Sequence, residues 1–288
     1  AHRPQGKDDR LPGVRAVVAV ASGKGGVGKS TVAANLAVSL AAQGASVGLI
    51  DADIYGPSQP TMLGLTDARP TMTEDPNNPK IIPMRRHGVQ VMSMGFMLEA
   101  DQAVVWRGPM LGKALQQFID DVQWGPLDYL VIDMPPGTGD VQLSLAQLLP
   151  VSGTVVVTTP QDVAFADVRR AIKMLNLTKS PILGLVENMS HFECDACGKR
   201  HLLFGPSRIA GHAEEHDLSL LASIPLDTVT ALAGDKGEPI AAQPAATAQR
   251  KAYEALATSV TTELTRAALK LGQPMTSKFR AFFDMKPD

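Results

Sequence analysis

The sequence is poor in several residue types, and each shortage excludes a class of protein. Only two of the 288 residues are cysteine, so a disulfide-rich secreted fold is excluded. No apolar run approaches the about 18 residues of a membrane-spanning helix, and the first 15 residues contain no apolar signal segment. The net charge is −2, which gives no electrostatic reason to expect nucleic-acid binding. We therefore expect an intracellular protein, with a bacterial cytoplasm as the first expectation and a mitochondrial matrix as the alternative.

Short apolar runs alternate with longer segments of helical spacing along most of the chain. The strand-like runs are Val17–Ala21, Ser46–Ile50, Val89–Ser93, Tyr129–Ile132, Thr154–Thr158, Ile182–Val186 and Leu220–Ile224. The helix-like segments are Lys29–Gln43, Pro109–Val122, Val141–Leu148, Ala164–Leu175, Pro206–His216 and Ala248–Leu271. This alternation predicts a three-layer α/β fold whose mostly parallel sheet has about seven or eight strands and is covered on both faces.

The chain length suits one large domain with short tails. We expect an N-terminal tail at 1–14, a main domain at 15–271 and a C-terminal tail at 272–288. Proline and polar residues are concentrated at 66–87, which predicts a loop or an irregular excursion from the sheet. A second irregular segment, 189–207, interrupts the alternation and contains both cysteines. We interpret it as an insertion in the main domain.

A glycine-rich motif follows the first predicted strand and leads into an apolar helix. Its sequence, GKGGVGKST, fits the P-loop pattern, so the domain is predicted to be a P-loop ATPase. The residues expected to bind the nucleotide are Gly23, Lys24, Gly25, Gly26, Val27, Gly28, Lys29, Ser30 and Thr31. Backbone N–H groups surround the phosphates in such a loop, Lys29 is expected to contact the β and γ phosphates, and Ser30 is expected to bind Mg²⁺.

Carboxylates follow two of the predicted strands. Asp51 and Asp53 come after one strand and Asp133 after another, and the carboxyl ends of parallel strands form the ligand-binding edge of a sheet. We expect Asp133 to bind Mg²⁺ and Asp51 to act on Mg²⁺ indirectly, through the groups that bind the ion. Asp53 is expected to orient the attacking water. Asn188, after a third strand, is a candidate for contact with the nucleotide base; a cap at the strand end is the alternative.

The two cysteines, Cys194 and Cys197, are separated by two residues, which brings both thiols to one side of a tight turn. Three interpretations stay open on chemistry alone. A four-iron four-sulfur cluster needs four thiolates, which a two-fold dimer would supply. A zinc site would add His191 or His201, and a redox pair would need neither.

The chain resembles the Mrp/ApbC family of iron-sulfur cluster carrier ATPases, which includes the Ind1-type and Nbp-type proteins. The resemblance rests on ASGKGGVGKST, DADIYGPS, MSMGF, WRGPM, DYLVIDMPPGTGDVQLSL, TTPQDVA, ENMSHFECDACGKR, IPLD and GEPI, and it covers about residues 12 to 265. It implies the deviant Walker A subclass of the P-loop fold, in which Lys24 acts across a homodimer on the partner's nucleotide. It also implies that Cys194 and Cys197 of two chains hold one bridging 4Fe-4S cluster.

The same resemblance implies that ATP and Mg²⁺ are cofactors. The expected partners are a second copy of the chain, an upstream cluster donor and recipient apo iron-sulfur proteins. Catalysis is assigned to Lys24, Lys29 and Asp53.

Two rival functions share these motifs. A positioning ATPase of the MinD or ParA type has the same P-loop but no use for the cysteines, and a zinc-binding P-loop ATPase would use them without iron. The C-terminal tail has Phe279, Phe282 and Phe283 at helical spacing, but this apolar stripe is narrow and we do not expect membrane contact. A metabolic kinase is a third class, against which we find no acceptor-binding motif.

Overall fold

A computed structural model describes residues 11–97, 108–194, 196–244 and 247–270. The strands are β1 (Val14–Ser22), β2 (Val47–Asp51), β3 (Thr71–Met72), β4 (Ile81–Ile82), β5 (Met84–Arg86), β6 (Val89–Ser93), β7 (Leu127–Asp133), β8 (Gly153–Thr158), β9 (Ile182–Glu193), β10 (Arg200–His201) and β11 (Ser219–Leu226). The helices are α1 (Lys29–Ala42), α2 (Gln59–Met62), α3 (Gly108–Asp120), α4 (Asp140–Leu148), α5 (Asp162–Leu177), α6 (Ile209–Glu215), α7 (Thr228–Asp235) and α8 (Ala248–Lys270). Short 3-10 turns lie at Met94–Phe96 and Ile240–Ala242.

Nine of the described strands form one sheet. Its order is β10-β9-β8-β1-β7-β2-β6-β5, and β11 pairs with β9. The pairings among β1, β2, β6, β7, β8, β9 and β11 are parallel, whereas β5 and β10 join in antiparallel orientation. The central strands β1 and β7 are almost continuously apolar and buried, as expected for strands covered by helices on both faces. The predicted three-layer α/β fold with a mostly parallel sheet is confirmed.

Helix α1 is buried along most of its length rather than along one stripe. All residues from Val32 to Leu40 are buried, because the helix packs against β1 and β2 on one side and against α8 on another. Its alanines and valines allow this close approach. A helix surrounded in this way holds its N-terminus in a fixed position, which matters because that end faces the glycine-rich loop.

Two predicted irregular segments contain regular structure. The segment 66–87 includes the antiparallel β3–β4 hairpin and the edge strand β5. Strand β9 runs past the predicted end at Val186 to Glu193, so the first part of 189–207 is strand rather than loop. Periodicity did not reveal β3, β4 and β5 because two- and three-residue strands are too short to show alternation.

The predicted tails 1–14 and 272–288 lie outside the described residues, except for residues 11–14. Within that exception, Leu11 is buried and Val14 begins β1. The tail phenylalanines also lie outside the described residues. In the part of the chain that the structure describes, no helix combines the length and the apolar character needed to cross a bilayer.

The order and register of the strands bring distant polar residues to one edge of the sheet. Asp51 at the end of β2 is in register with Ser93 of β6 on one side and with Asp133 of β7 on the other. The glycine-rich loop leaves β1, which pairs with β7, at the same carboxyl edge. In open parallel sheets this edge is where ligands bind.

Candidate nucleotide site and cysteine hairpin

The glycine-rich loop has the backbone geometry of an anion site. Gly28 precedes α1 with φ 79°, a left-handed conformation, and a Cβ atom there would lie 2.3 Å from Nδ2 of Asn188. Only glycine meets both demands. Helix α1 has no side-chain cap at its N-terminus and no acidic residue in its first turn, so its first N–H groups are available to a phosphate.

Lys29 connects the loop to the carboxylates at the sheet edge. Its ammonium group donates to Oδ1 of Asp133 and lies 3.1 Å from Oγ of Ser30 and 3.9 Å from Oδ2 of Asp53. Lys29 is 5% exposed and Asp133 is fully buried. The predicted site residues therefore lie together: Lys29, Ser30, Asp53 and Asp133. The ammonium group of Lys29 is the positive charge near both carboxylates.

Asp51 is fully buried and accepts three hydrogen bonds. Its Oδ2 accepts from the backbone N–H of Gln59 and the hydroxyl of Ser93, both at 3.1 Å, and its Oδ1 accepts from the backbone N–H of Asp53 at 3.2 Å. Burial, followed by repulsion from Asp133, raises the pKa of Asp51 to about 8. Asp51 thus shapes the loop that carries Asp53 and Gln59.

The surroundings of Asp53 shift the pKa of its carboxyl group in opposing directions. Burial raises its pKa above the ordinary value, Lys29 opposes this shift, and Asp133 adds to it. The carboxylate retains some solvent access, since its side chain is 15% exposed. This combination suits a group that must meet a water molecule.

Gln59 belongs to the site although no motif indicated it. Its Nε2 donates to Oδ2 of Asp133 at 2.9 Å and to the carbonyl oxygen of Ser30 at 3.0 Å. Ser93 is the second residue that sequence reasoning missed. Ser93 ends a predicted strand and lies in the MSMGF block, and this position is the feature of the sequence that could have indicated a role in the site. Gln59 has no such feature beyond directly following DADIYGPS.

The collected oxygen donors fit a magnesium ion. The Ser30 hydroxyl and the Asp133 carboxylate are hard ligands of the kind that Mg²⁺ prefers. Asp51 lies beside Asp133 in the register of β2 and β7. Oε1 of Gln59 is buried and has no hydrogen-bond partner among the described residues. An acceptor of this kind suits a water bound to such a cation.

Asn188 contacts the P-loop itself. Its Nδ2 donates to the carbonyl oxygen of Val27 at 2.9 Å, and the residue is buried on β9. This contact leaves the amide oxygen for another donor. The contact of Asn188 with the nucleotide base therefore stays a prediction. What the structure shows is that Asn188 holds the P-loop through its hydrogen bond to Val27.

Lys24 differs from Lys29 in its surroundings. It is half-buried in the loop, and among the described residues its side chain has no ion-pair partner. The Ser22 hydroxyl donates to the Lys24 backbone carbonyl at 2.9 Å, which fixes the backbone but not the ammonium group. The charge is thus available to a group outside the described residues of its own chain.

The cysteines lie in the turn between β9 and β10. Glu193 pairs with Arg200, the Cys194 N–H donates to the Lys199 carbonyl at 3.0 Å, and the Gly198 N–H donates back to the Cys194 carbonyl at 2.8 Å. Cys197 is exposed, Cys194 is partly buried, and the two are not joined in a disulfide. We call 192–201 the cysteine hairpin.

The histidines of the zinc alternative have other neighbours. His191 Nδ1 lies 3.0 Å from the Ser190 hydroxyl, and the His201 ring lies 6.5 Å from the Phe192 ring. Within the described ranges, no three His, Cys, Asp or Glu side chains form a group that could hold a metal ion. A cation bound by the cysteines would therefore need ligands from elsewhere.

Most of the chain matches the model of a known protein family. Residues 13–261 match the ParA-type family model described as the NUBPL iron-transfer P-loop NTPase. The chain belongs to this family. The resemblance to the Mrp/ApbC carriers is thereby confirmed.

Curated proteins similar to this chain are iron-sulfur cluster carrier proteins. The iron-sulfur cluster carrier protein of Aquifex aeolicus is 51% identical over 232 residues, which are 80% of this chain and 63% of that protein. The carrier protein of Haemophilus influenzae is 48% identical over 254 residues, 88% of this chain and 68% of its own length. The chain thus spans roughly two thirds of these relatives' length.

Solved structures agree with the fold. A nucleotide-binding protein of Archaeoglobus fulgidus, solved in complex with ADP, is 39% identical with a TM-score of 0.72, covering 82% of this chain and 92% of that one. The cell division ATPase MinD of Pyrococcus furiosus superposes with a TM-score of 0.60 at 22% identity, covering 86% of this chain and 98% of its own, which supports the fold alone.

Proposed function

We propose that the protein is an ATPase that holds a four-iron four-sulfur cluster between two copies of the chain and delivers it to apoproteins. The observation that carries the proposal is the exposed cysteine hairpin at the end of β9, the strand whose Asn188 contacts the P-loop. Family membership supports the same function. The ADP-bound relative from Archaeoglobus fulgidus supports nucleotide binding.

The chain's own residues suffice to bind and orient ATP. Lys29 exchanges its contact with Asp133 for the β and γ phosphates, and the N–H groups at the start of α1 bind phosphate oxygens. Ser30 and Asp133 would hold Mg²⁺, which would supply positive charge against the charge that develops on the phosphates. Asp53 accepts a hydrogen bond from the attacking water and orients it toward the γ phosphorus.

Lys24 is assigned to the partner's nucleotide. The absence of an ion pair for its ammonium group among the described residues supports this role, because a half-buried lysine gains most from an anion brought by another molecule. Hydrolysis would then depend on dimer formation.

The cluster is cargo held at the dimer interface. Each chain offers two thiolates, and a four-iron cluster needs four. Leu202, Leu203 and Phe204 follow the cysteine hairpin and are all exposed, which supports burial of this surface against a second chain. Within the described residues, no third His, Cys, Asp or Glu side chain completes a metal-binding group with the two cysteines, which gives no support to a zinc site within one chain.

Anaerobic reconstitution with iron and sulfide tests the proposal. We expect about four irons and four sulfides per two chains, and light scattering should show a dimer that depends on the cluster. Zinc should be counted in the same samples. One zinc per chain with no iron uptake would contradict the carrier function and favour the zinc alternative.

A further inference from the structure

Gln59 makes contacts with three parts of the nucleotide site at once. Its backbone N–H donates to Asp51, and its side-chain Nε2 donates to both the Ser30 carbonyl and Asp133. The residue is fully buried at the start of α2. It therefore links the first turn of α1 to the carboxylates that end β2 and β7.

Chemistry fixes the orientation of the Gln59 amide. Both neighbours of Nε2 are acceptors, a backbone carbonyl and a carboxylate. A rotated amide would bring Oε1 against two oxygens and lose both hydrogen bonds. The two N–H groups of the amide are thus fully used, and Oε1 is the atom that faces elsewhere.

That oxygen is an acceptor without a donor. Oε1 is buried and has no hydrogen-bond partner among the described residues. Leaving a buried acceptor unpaired is unfavourable, so such an atom in a binding site indicates a donor that arrives with the ligand. Lys29, the nearby cationic donor, is engaged with Asp133 and Ser30.

The ligand of the proposed function brings suitable donors. Mg²⁺ in nucleotide sites keeps several of its water molecules, and these donate strong hydrogen bonds. The side-chain amide of Gln59 is hydrogen-bonded to both Ser30 and Asp133, the two residues assigned to the ion. Its oxygen therefore belongs to an amide that contacts both of these residues, and water bound to the ion is the donor that this arrangement favours.

We propose that Gln59 is a positioning residue of the magnesium-nucleotide site: Nε2 ties the Asp133 carboxylate to the Ser30 carbonyl, and Oε1 accepts a hydrogen bond from a metal-bound water. This inference rests on the proposed ATP binding and deepens it. When Lys29 turns to the phosphates, Asp133 loses its cation, and the Gln59 amide keeps the carboxylate in place for the ion.

Calorimetry with Gln59→Met tests the proposal. Methionine has similar length but neither donor nor strong acceptor. ADP affinity measured with EDTA should stay within about twofold of wild type, whereas Mg²⁺ titrated into the ADP complex should bind about tenfold more weakly. Gln59→Leu provides the same comparison if the methionine variant does not fold.

Gln90→Met is a matched control. Oε1 of Gln90 is likewise buried with no hydrogen-bond partner in the described part of the chain, but Gln90 pairs with Gly48, away from the carboxyl edge where Ser93 pairs with Asp51. Its Mg²⁺ affinity should equal that of wild type. If Gln59 acted in folding alone, its variants would have a lower melting temperature and a lower ADP affinity in the presence of EDTA, but an unchanged Mg²⁺ affinity. That result would overturn the proposal.

A measurement on the unmodified protein needs no substitution. The side-chain ¹³Cδ resonance of Gln59 should move downfield when Mg²⁺ is added to the ADP complex, because its carbonyl gains a hydrogen bond. A resonance that does not move refutes the contact with water. If the unmodified chain fails to bind ADP at all, the proposed ATPase function falls first, and the role of Gln59 falls with it.

Discussion

Asn188 and Val27 are 161 positions apart in the sequence, yet the Asn188 amide donates to the Val27 carbonyl at 2.9 Å. Val27 lies in the phosphate loop, and Asn188 lies on β9, which continues to the cysteine hairpin. One strand thus contacts the nucleotide site near its middle and presents a cysteine just past its end. A shift of the loop on nucleotide binding would act directly on the strand that leads to Cys194.

Replacing Asn188 should weaken nucleotide binding in two ways. Asn188→Ala leaves the buried Val27 carbonyl unpaired, at a cost of about 1–3 kcal/mol, and removes the amide oxygen expected to accept from the adenine amino group. We expect calorimetry to show a loss of about tenfold for ADP and a smaller loss for GDP. Asn176→Ala, at an exposed position on α5, is the control. Equal losses for both nucleotides would leave the loop contact but exclude base recognition.

Removing the loop lysine should abolish binding and also destabilise the fold. Lys29→Met keeps the buried stem but removes the charge, so phosphates lose their main cationic contact and Asp133 is left buried without a counterion. We expect ADP affinity to fall by at least about a hundredfold, and the melting temperature to drop. Circular dichroism at low temperature checks that the variant is folded. Nucleotide affinity equal to that of the unmodified chain would exclude the P-loop assignment.

The second loop lysine should affect turnover rather than binding. Lys24→Ala is expected to bind ATP within about threefold of wild type but to hydrolyse it at least about tenfold more slowly, because the lysine acts on the partner's nucleotide. Steady-state kinetics and calorimetry separate the two quantities. Lys173→Ala, on the exposed face of α5, is the control. Full activity of Lys24→Ala would show that the in-trans role is wrong.

The pH dependence of stability should reveal Asp51. Its pKa in the folded protein, about 8, lies above the ordinary value of 3.8, so the folded state binds more protons than the unfolded state between these values. The contribution of Asp51 is therefore full below about pH 4 and is lost as the pH rises through about 8. The melting temperature of nucleotide-free Asp51→Asn should fall less steeply than that of wild type across this window. Parallel curves would contradict this assignment, and Asp235→Asn, at an exposed position on α7, serves as the control.

The cysteine variants should separate cluster binding from nucleotide binding. Cys194→Ser and Cys197→Ser are each expected to lose most of the reconstituted iron, because one substitution per chain removes two of the four thiolates. ADP affinity and the melting temperature of the metal-free protein should change little, since both cysteines lie past the end of β9, whereas the β9 residue that contacts the phosphate loop is Asn188. Iron content equal to that of wild type in both variants would contradict the ligand assignment.

The sequence by itself determined the fold class and the local chemistry of the site. Alternating apolar runs predict buried parallel strands, and GKGGVGKST between a strand and a helix predicts a phosphate loop, because both signals depend on neighbouring residues. The cysteine pair is likewise a local pattern. Its three interpretations stayed open until the resemblance favoured the cluster, since spacing alone does not select a metal.

Tertiary structure decided which distant residues meet. The register of β2 between β6 and β7 places Asp51 beside Ser93 and Asp133, and no local pattern specifies that order. Gln59 directly follows the DADIYGPS motif, yet its side chain donates hydrogen bonds to Ser30 and Asp133, which belong to two other motifs. These contacts form because α2 lies at the carboxyl edge of the sheet. These contacts depend on burial and on strand order, which are properties of the assembled sheet and not of any segment within it.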